Sequence, residues 1–157
     1  MKIEERVGEL LRNRGLSLSI AESCTAGYLG YLITNVPGSS DYFNGGVIVY
    51  SDRFKERFLS VPKDILKKFG AVSAETAELM AEEIRKKGGA DIGLATTGIA
   101  GPDGGNDIKP VGLVYIAMAT EKGTESKAFH FSGDRKAVRS KSARKALSIV
   151  RDYLKKL

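Results

Sequence analysis

One cysteine and one histidine are all that 157 residues provide of the two most versatile metal ligands and nucleophile partners. A single cysteine, Cys24, excludes an intrachain disulfide, and one histidine beside it cannot complete a four-ligand zinc site. No group of carboxylates has a recognised cation-loop spacing, so no metal and no cofactor are expected. A Ser-His-Asp triad would have to use His130, which sits between Phe129 and Phe131 and reads as a strand residue facing away from both. Long apolar runs are missing too. The longest, Val111 to Ala119, is too short to cross a bilayer, and the opening Met1-Lys2-Ile3-Glu4-Glu5-Arg6 has no apolar signal core. The reading is a reducing, cytoplasmic setting with no membrane partner.

Hydrophobic residues at 42% and charged residues at 28% place the chain among globular proteins. Its length suits one domain spanning 1–157, with no linker, repeat or low-complexity segment. The net charge of +6 is concentrated at one end, because Asp134 to Leu157 hold nine Lys/Arg against two Asp. That segment reads as a basic helix, either solvated or facing an anion. It lacks interleaved exposed aromatics and any nucleic-acid motif, so no nucleic-acid partner is expected.

Periodicity supplies the architecture. Ile3 to Arg14 reads as an amphipathic helix closed by Gly15, and Ser17 to Ile20 as a strand. A helix follows from Ser23. Gly46 to Tyr50 is a nearly continuous apolar run, as in a strand buried on both faces. Ser51 or Asp52 caps a short helix, Pro62 opens another that Gly70 ends, and Ser73 caps a third running to Lys87. Ile92 to Thr97 reads as a core strand. Val114 to Ala119 and Lys127 to Phe131 read as an antiparallel pair before the final helix. The expected fold is a single three-layer α/β/α domain with a mixed, mostly parallel central sheet.

Three features could do chemistry. Ser23 stands where a strand gives way to a helix, so it either caps that helix or uses the unpaired N–H groups there to hold developing negative charge. Beside it, Cys24 is either a nucleophile or a buried, inert thiol. Lys55 sits in the first turn of a helix, an unfavourable place for a cation. It is either a solvent-facing lysine or a base made neutral by burial, with Tyr50 close by to relay a proton or donate a hydrogen bond. The loop Gly98 to Gly112 carries five glycines and two prolines, and suits close backbone approach to an anion. It is not a Walker loop, because Gly-Lys-Ser/Thr is absent, and it lacks the dinucleotide fingerprint. Arg135 and Arg139 lie four apart on the last helix and could clamp a phosphate together.

Six segments in order resemble the CinA C-terminal domain family: Ala21-Glu22-Ser23-Cys24-Thr25 with Gly27, Tyr50-Ser51 with Lys55, Gly70-Ala71-Val72-Ser73, Gly98 to Gly105, Lys109-Pro110-Val111-Gly112, and Phe131 to Arg135 with Arg139. The departures are Ala26, where the family usually has glycine, and Asp52-Arg53-Phe54 ahead of Lys55. The resemblance implies a nicotinamide-nucleotide amidase, hydrolysing nicotinamide mononucleotide to nicotinate mononucleotide and ammonia. It implies Ser23 as nucleophile, Lys55 as base and Tyr50 as third catalytic residue. Thr25, Gly98, Gly101, Gly104, Gly105, Arg135 and Arg139 would border the substrate, in a homodimer or higher homo-oligomer. Two other functions fit the same residues: a non-catalytic nucleotide-binding module, and a metal-dependent nucleotide pyrophosphatase.

Overall fold

Helix α1, Ile3–Arg14, buries Val7, Leu10 and Leu11 and stops at Gly15, whose φ of 62° turns its N–H back onto the carbonyls of Leu11 and Arg12. The computed structural model describes all residues from Met1 to Leu157. Strand β1, Leu18–Glu22, is buried at every position and runs further than the expected Ser17–Ile20. Helix α2 spans Tyr28–Thr34, and a 3₁₀ turn at Ser39–Asp41 leads into β2, Phe43–Ile48. Then come three helices, α3 (Asp52–Leu59), α4 (Lys63–Phe69) and α5 (Ala74–Lys87). Strands β3 (Ile92–Gly98), β4 (Leu113–Thr120) and β5 (Gly123–His130) precede the long α6 (Arg135–Lys156).

The five strands form one mixed sheet in the order β2-β1-β3-β4-β5. The segment β2-β1-β3 is parallel, and β4 runs antiparallel to β3 and β5. Helices α1, α2 and α6 cover one face over a core of Leu11, Ile20, Leu29, Leu94 and Leu147. Helices α3, α4 and α5 cover the other, over Val49, Leu59, Met80, Ala95 and Ala117. The three-layer α/β/α arrangement is therefore as the sequence implies.

Besides β1, two strands depart from expectation. β2 is an edge strand with alternating exposure, not one buried on both faces. The apolar run misleads because Val49, its fully buried member, lies past the strand end, where its N–H donates to Glu22 O at 2.9 Å. β5 starts at Gly123, four residues earlier than the pattern indicates. Its opening residues Thr124, Glu125 and Ser126 are polar, as suits a strand at the sheet's outer edge, so they carry no apolar signal.

Candidate active site

Parallel strands β1 and β3 end side by side, and the chemistry collects where they end. Ser23 follows β1 and stays tied to the sheet, its N–H donating to Thr96 O at 3.0 Å. The chain then makes a tight turn with Ala26 at φ 44° and Gly27 at φ 97°. α2 starts only at Tyr28, so Ser23 is not its cap. Glu22 does that work. Its buried carboxylate accepts from Leu29 N at 2.8 Å, Gly30 N at 3.3 Å and Thr25 Oγ1 at 2.6 Å. Because Thr25 gives its proton to the carboxylate, Thr96 Oγ1, 2.8 Å away, donates to Thr25. The first N–H groups of α2 are thus consumed, contrary to their expected role beside Ser23. The N–H groups of Cys24 and Thr25 are instead left without a main-chain acceptor, the Cys24 N–H meeting only its own thiol.

Ala26 holds a left-handed conformation that costs an L-residue about 1–2 kcal/mol. Glycine would relieve it at an entropic cost of about 0.5–1 kcal/mol. Ala26→Gly is therefore expected to raise Tm by roughly 1–4 °C in a thermal melt. A lower Tm would mean that the Ala26 methyl makes packing contacts worth more than the strain.

Lys55 arrives from the opposite side. Ser51 caps α3, accepting from Phe54 N at 3.1 Å, and Lys55 is the fourth helical residue. Its side chain turns inward to 1% exposure. Nζ lies 2.9 Å from Ser23 Oγ and donates to the carbonyls of Val49 at 2.9 Å and Tyr50 at 3.1 Å. Burial pushes the amine below its ordinary 10.5, and Asp52 opposes this only in part. As a neutral amine it has two hydrogens for the two carbonyls and one lone pair, which then faces the Ser23 hydroxyl.

Cys24, 5% exposed, has its thiol pushed up to about 12 by burial, an effect that its own backbone hydrogen bond only partly offsets. It is a buried thiol rather than a thiolate. Iodoacetamide at pH 8 should leave Cys24 unlabelled in the native protein and label it after unfolding in urea, as mass spectrometry would show. Rapid native labelling would contradict this.

Ser23, Cys24 and Lys55 line a cleft of about 220 Å³. Ala71 and Val72, from the segment ahead of α5, and Thr97 and Gly98, at the end of β3, also line it. Tyr50 and Arg135 bring polar groups, and no carboxylate or imidazole is among the lining side chains. A hollow of about 270 Å³ lies at the β4–β5 turn beside Tyr153, and neither of its threonine hydroxyls is hydrogen-bonded to the Lys122 or Glu125 side chain.

The predicted site residues separate into groups. Ser23 and Lys55 meet directly. Tyr50 reaches Lys55 only through its main-chain carbonyl, and its exposed hydroxyl accepts from Arg135 Nη2 at 3.1 Å. Gly98 lines the cleft, while Gly101 offers its carbonyl to Arg135 Nη1 at 2.8 Å. Gly104 and Gly105 lie within the loop, where a side chain on Gly105 would strike the Val111 backbone. The Thr25 side chain is fully buried in the Glu22–Thr96 network. Arg139 does not pair with Arg135. Its Nε donates to Cys24 O at 3.1 Å and its Nη2 to Thr25 O at 3.0 Å. Glu22 leaves no capping signal in the sequence, although it stands inside the Ala21-Glu22-Ser23-Cys24-Thr25 motif. Its partner Leu29 is seven residues on, outside any capping-box spacing. Lys109 was equally silent: its Nζ donates to Phe69 O at 2.6 Å and ties the glycine loop to the Gly70 turn.

No helix is long and apolar enough to cross a membrane. Relatives of the chain are well defined. A provisionally named competence-damage inducible protein of Desulforudis audaxviator is 52% identical over 151 residues, which is 96% of this chain and 37% of that protein. A CinA-like protein of Desulfotalea psychrophila is 51% identical over 94% of this chain and 36% of its own length. The chain thus spans little more than a third of these curated relatives. Among solved structures, a CinA superfamily protein of Klebsiella pneumoniae superposes with a TM-score of 0.95 at 33% identity, covering 99% of this chain and 97% of that one. The competence or damage-inducible protein of Enterobacter asburiae gives 0.93 at 35% identity, covering 97% and 96%. With residues 1–154 matching the CinA C-terminal domain, the chain belongs to the CinA family.

Proposed function

We propose that this domain is a serine amidohydrolase that removes ammonia from the carboxamide of nicotinamide mononucleotide. The observation that carries the reading is the buried Lys55 amine 2.9 Å from the Ser23 hydroxyl, beside a cleft. Family resemblance supports the substrate class, and the Ser23–Lys55 contact supports the reaction type.

Ser23 Oγ bonds to the carboxamide carbon while Lys55 takes its proton. The carbonyl oxygen becomes an oxyanion, for which the free Thr25 N–H and the Cys24 N–H, which meets only its own thiol, are the nearest main-chain donors in sequence. Lys55 returns the proton to the nitrogen, ammonia leaves, and an acyl-Ser23 ester remains. Lys55 then deprotonates the attacking water, and collapse of the second intermediate restores the serine hydroxyl and releases nicotinate mononucleotide. Arg135, with Tyr50, would meet the phosphate end of the substrate.

The test is purified protein with nicotinamide mononucleotide in excess chelator, following ammonia and the nucleotide product by mass. Equal amounts of ammonia and nicotinate mononucleotide are expected. Binding of the nucleotide with no ammonia would make this a binding module, and chelator-sensitive cleavage of the phosphoanhydride of NAD, a bond that nicotinamide mononucleotide lacks, in a parallel incubation would make it a pyrophosphatase.

A further inference from the structure

Arg139, which the sequence pairs with Arg135 for phosphate, has its guanidinium committed to main-chain carbonyls. Nε and Nη2 hold the oxygens of Cys24 and Thr25, two successive peptides of the nucleophile turn. In a trans peptide the N–H points opposite to the C=O. The hydrogen bond to Cys24 O therefore fixes the direction of the Thr25 N–H, which belongs to the same peptide plane. That N–H lacks an acceptor, whereas the first N–H groups of α2 are taken up by Glu22. The Thr25 side chain is anchored separately, to Glu22 and Thr96. The turn is thus held at its carbonyls by α6 and at its side chain by β1 and β3. Ala26 N is spent on Ser23 O, and the Thr25 N–H stays free.

We propose that Arg139 is a positioning residue: it locks the Cys24–Thr25 peptide so that the Thr25 N–H remains available to an oxyanion formed at Ser23. Losing one oxyanion donor costs about 10²–10³ in kcat, so an indirect loss through Arg139 is set at about 10- to 100-fold.

The inference rests on the serine-hydrolase reading of the site, and two measurements keep the failures apart. The first compares nicotinamide mononucleotide with nicotinamide riboside, which has the same carboxamide and no phosphate. In Arg139→Met, kcat should fall by the same factor for both, with KM held within about threefold. Arg139→Lys, which can reach one carbonyl, should fall between wild type and Arg139→Met. A loss confined to the phosphorylated substrate and expressed in KM would make Arg139 a phosphate contact and overturn the proposal.

The second measurement needs no natural substrate. In reaction with a fluorophosphonate, Ser23 Oγ bonds to phosphorus, fluoride departs and the serine proton passes to Lys55. The P=O oxygen then needs the same donors as the oxyanion. Labelling followed by intact-mass spectrometry should slow about 10- to 100-fold in Arg139→Met. If the wild type releases no ammonia yet labels with this dependence, the substrate assignment fails and the positioning role stands. A labelling rate indifferent to Arg139, or no labelling of Ser23 at all, overturns the proposal.

Discussion

Ser23→Ala should lower kcat for ammonia release from nicotinamide mononucleotide by about 10⁴-fold or more, with KM within a fewfold of wild type. The change removes one oxygen, at the residue whose hydroxyl lies 2.9 Å from Lys55 Nζ. It leaves in place the Ser23 N–H bond to Thr96 O and the unpaired Thr25 N–H. The cleft keeps its shape and donors and loses only its nucleophile, so the loss belongs in kcat. A steady-state comparison of the purified proteins checks this. Loss expressed mainly as raised KM would assign Ser23 to binding.

Lys55→Met should cost about 10³- to 10⁴-fold in kcat, the upper part of the range for a positioned general base. Methionine fills a similar volume at a site that is 1% exposed, so the packing between α3 and the end of β1 is largely kept. Lys55→Arg should be as inactive as Lys55→Met, because a guanidinium keeps its charge and offers no lone pair to the serine proton. Retention of charge without rescue is the distinguishing result. The Ser23→Ala, Lys55→Met double variant should be no slower than the worse of the single variants, since nucleophile and base act as one unit. Multiplicative losses in that cycle would place the two residues in independent roles.

How much of this was legible depends on the kind of signal each residue leaves. Helices α1, α5 and α6 announce themselves by apolar spacing and by caps such as Ser73, which accepts from Thr76 N at 3.2 Å as its type and place suggest. Strands are less plainly marked. The polar start of β5 hides an edge strand, and buried Val49 imitates the centre of one. At the site, Ser23 and Lys55 were readable as residue types in odd places, a hydroxyl at a strand end and a cation near a helix start. Their meeting, 32 residues apart, required the fold. The direction of Arg139 was not readable. Its spacing from Arg135 puts the two on one helix face, but the Cys24 carbonyl is open to it, and the Thr25 carbonyl shared only with Tyr28 N, because α2 begins four residues later than expected. The same late start passes the capping role from Ser23 to Glu22 and leaves the serine hydroxyl free to face Lys55.

The central claim is that a buried lysine, neutral at working pH, takes the proton from Ser23, and the pH dependence of kcat/KM tests it most directly. Burial lowers the Lys55 pKa from its ordinary 10.5, so the neutral fraction grows as pH rises and saturates below that value. For wild type with nicotinamide mononucleotide, kcat/KM should climb by up to about tenfold per pH unit from pH 5, then level off. A profile flat from pH 5 to about 9 would contradict the account.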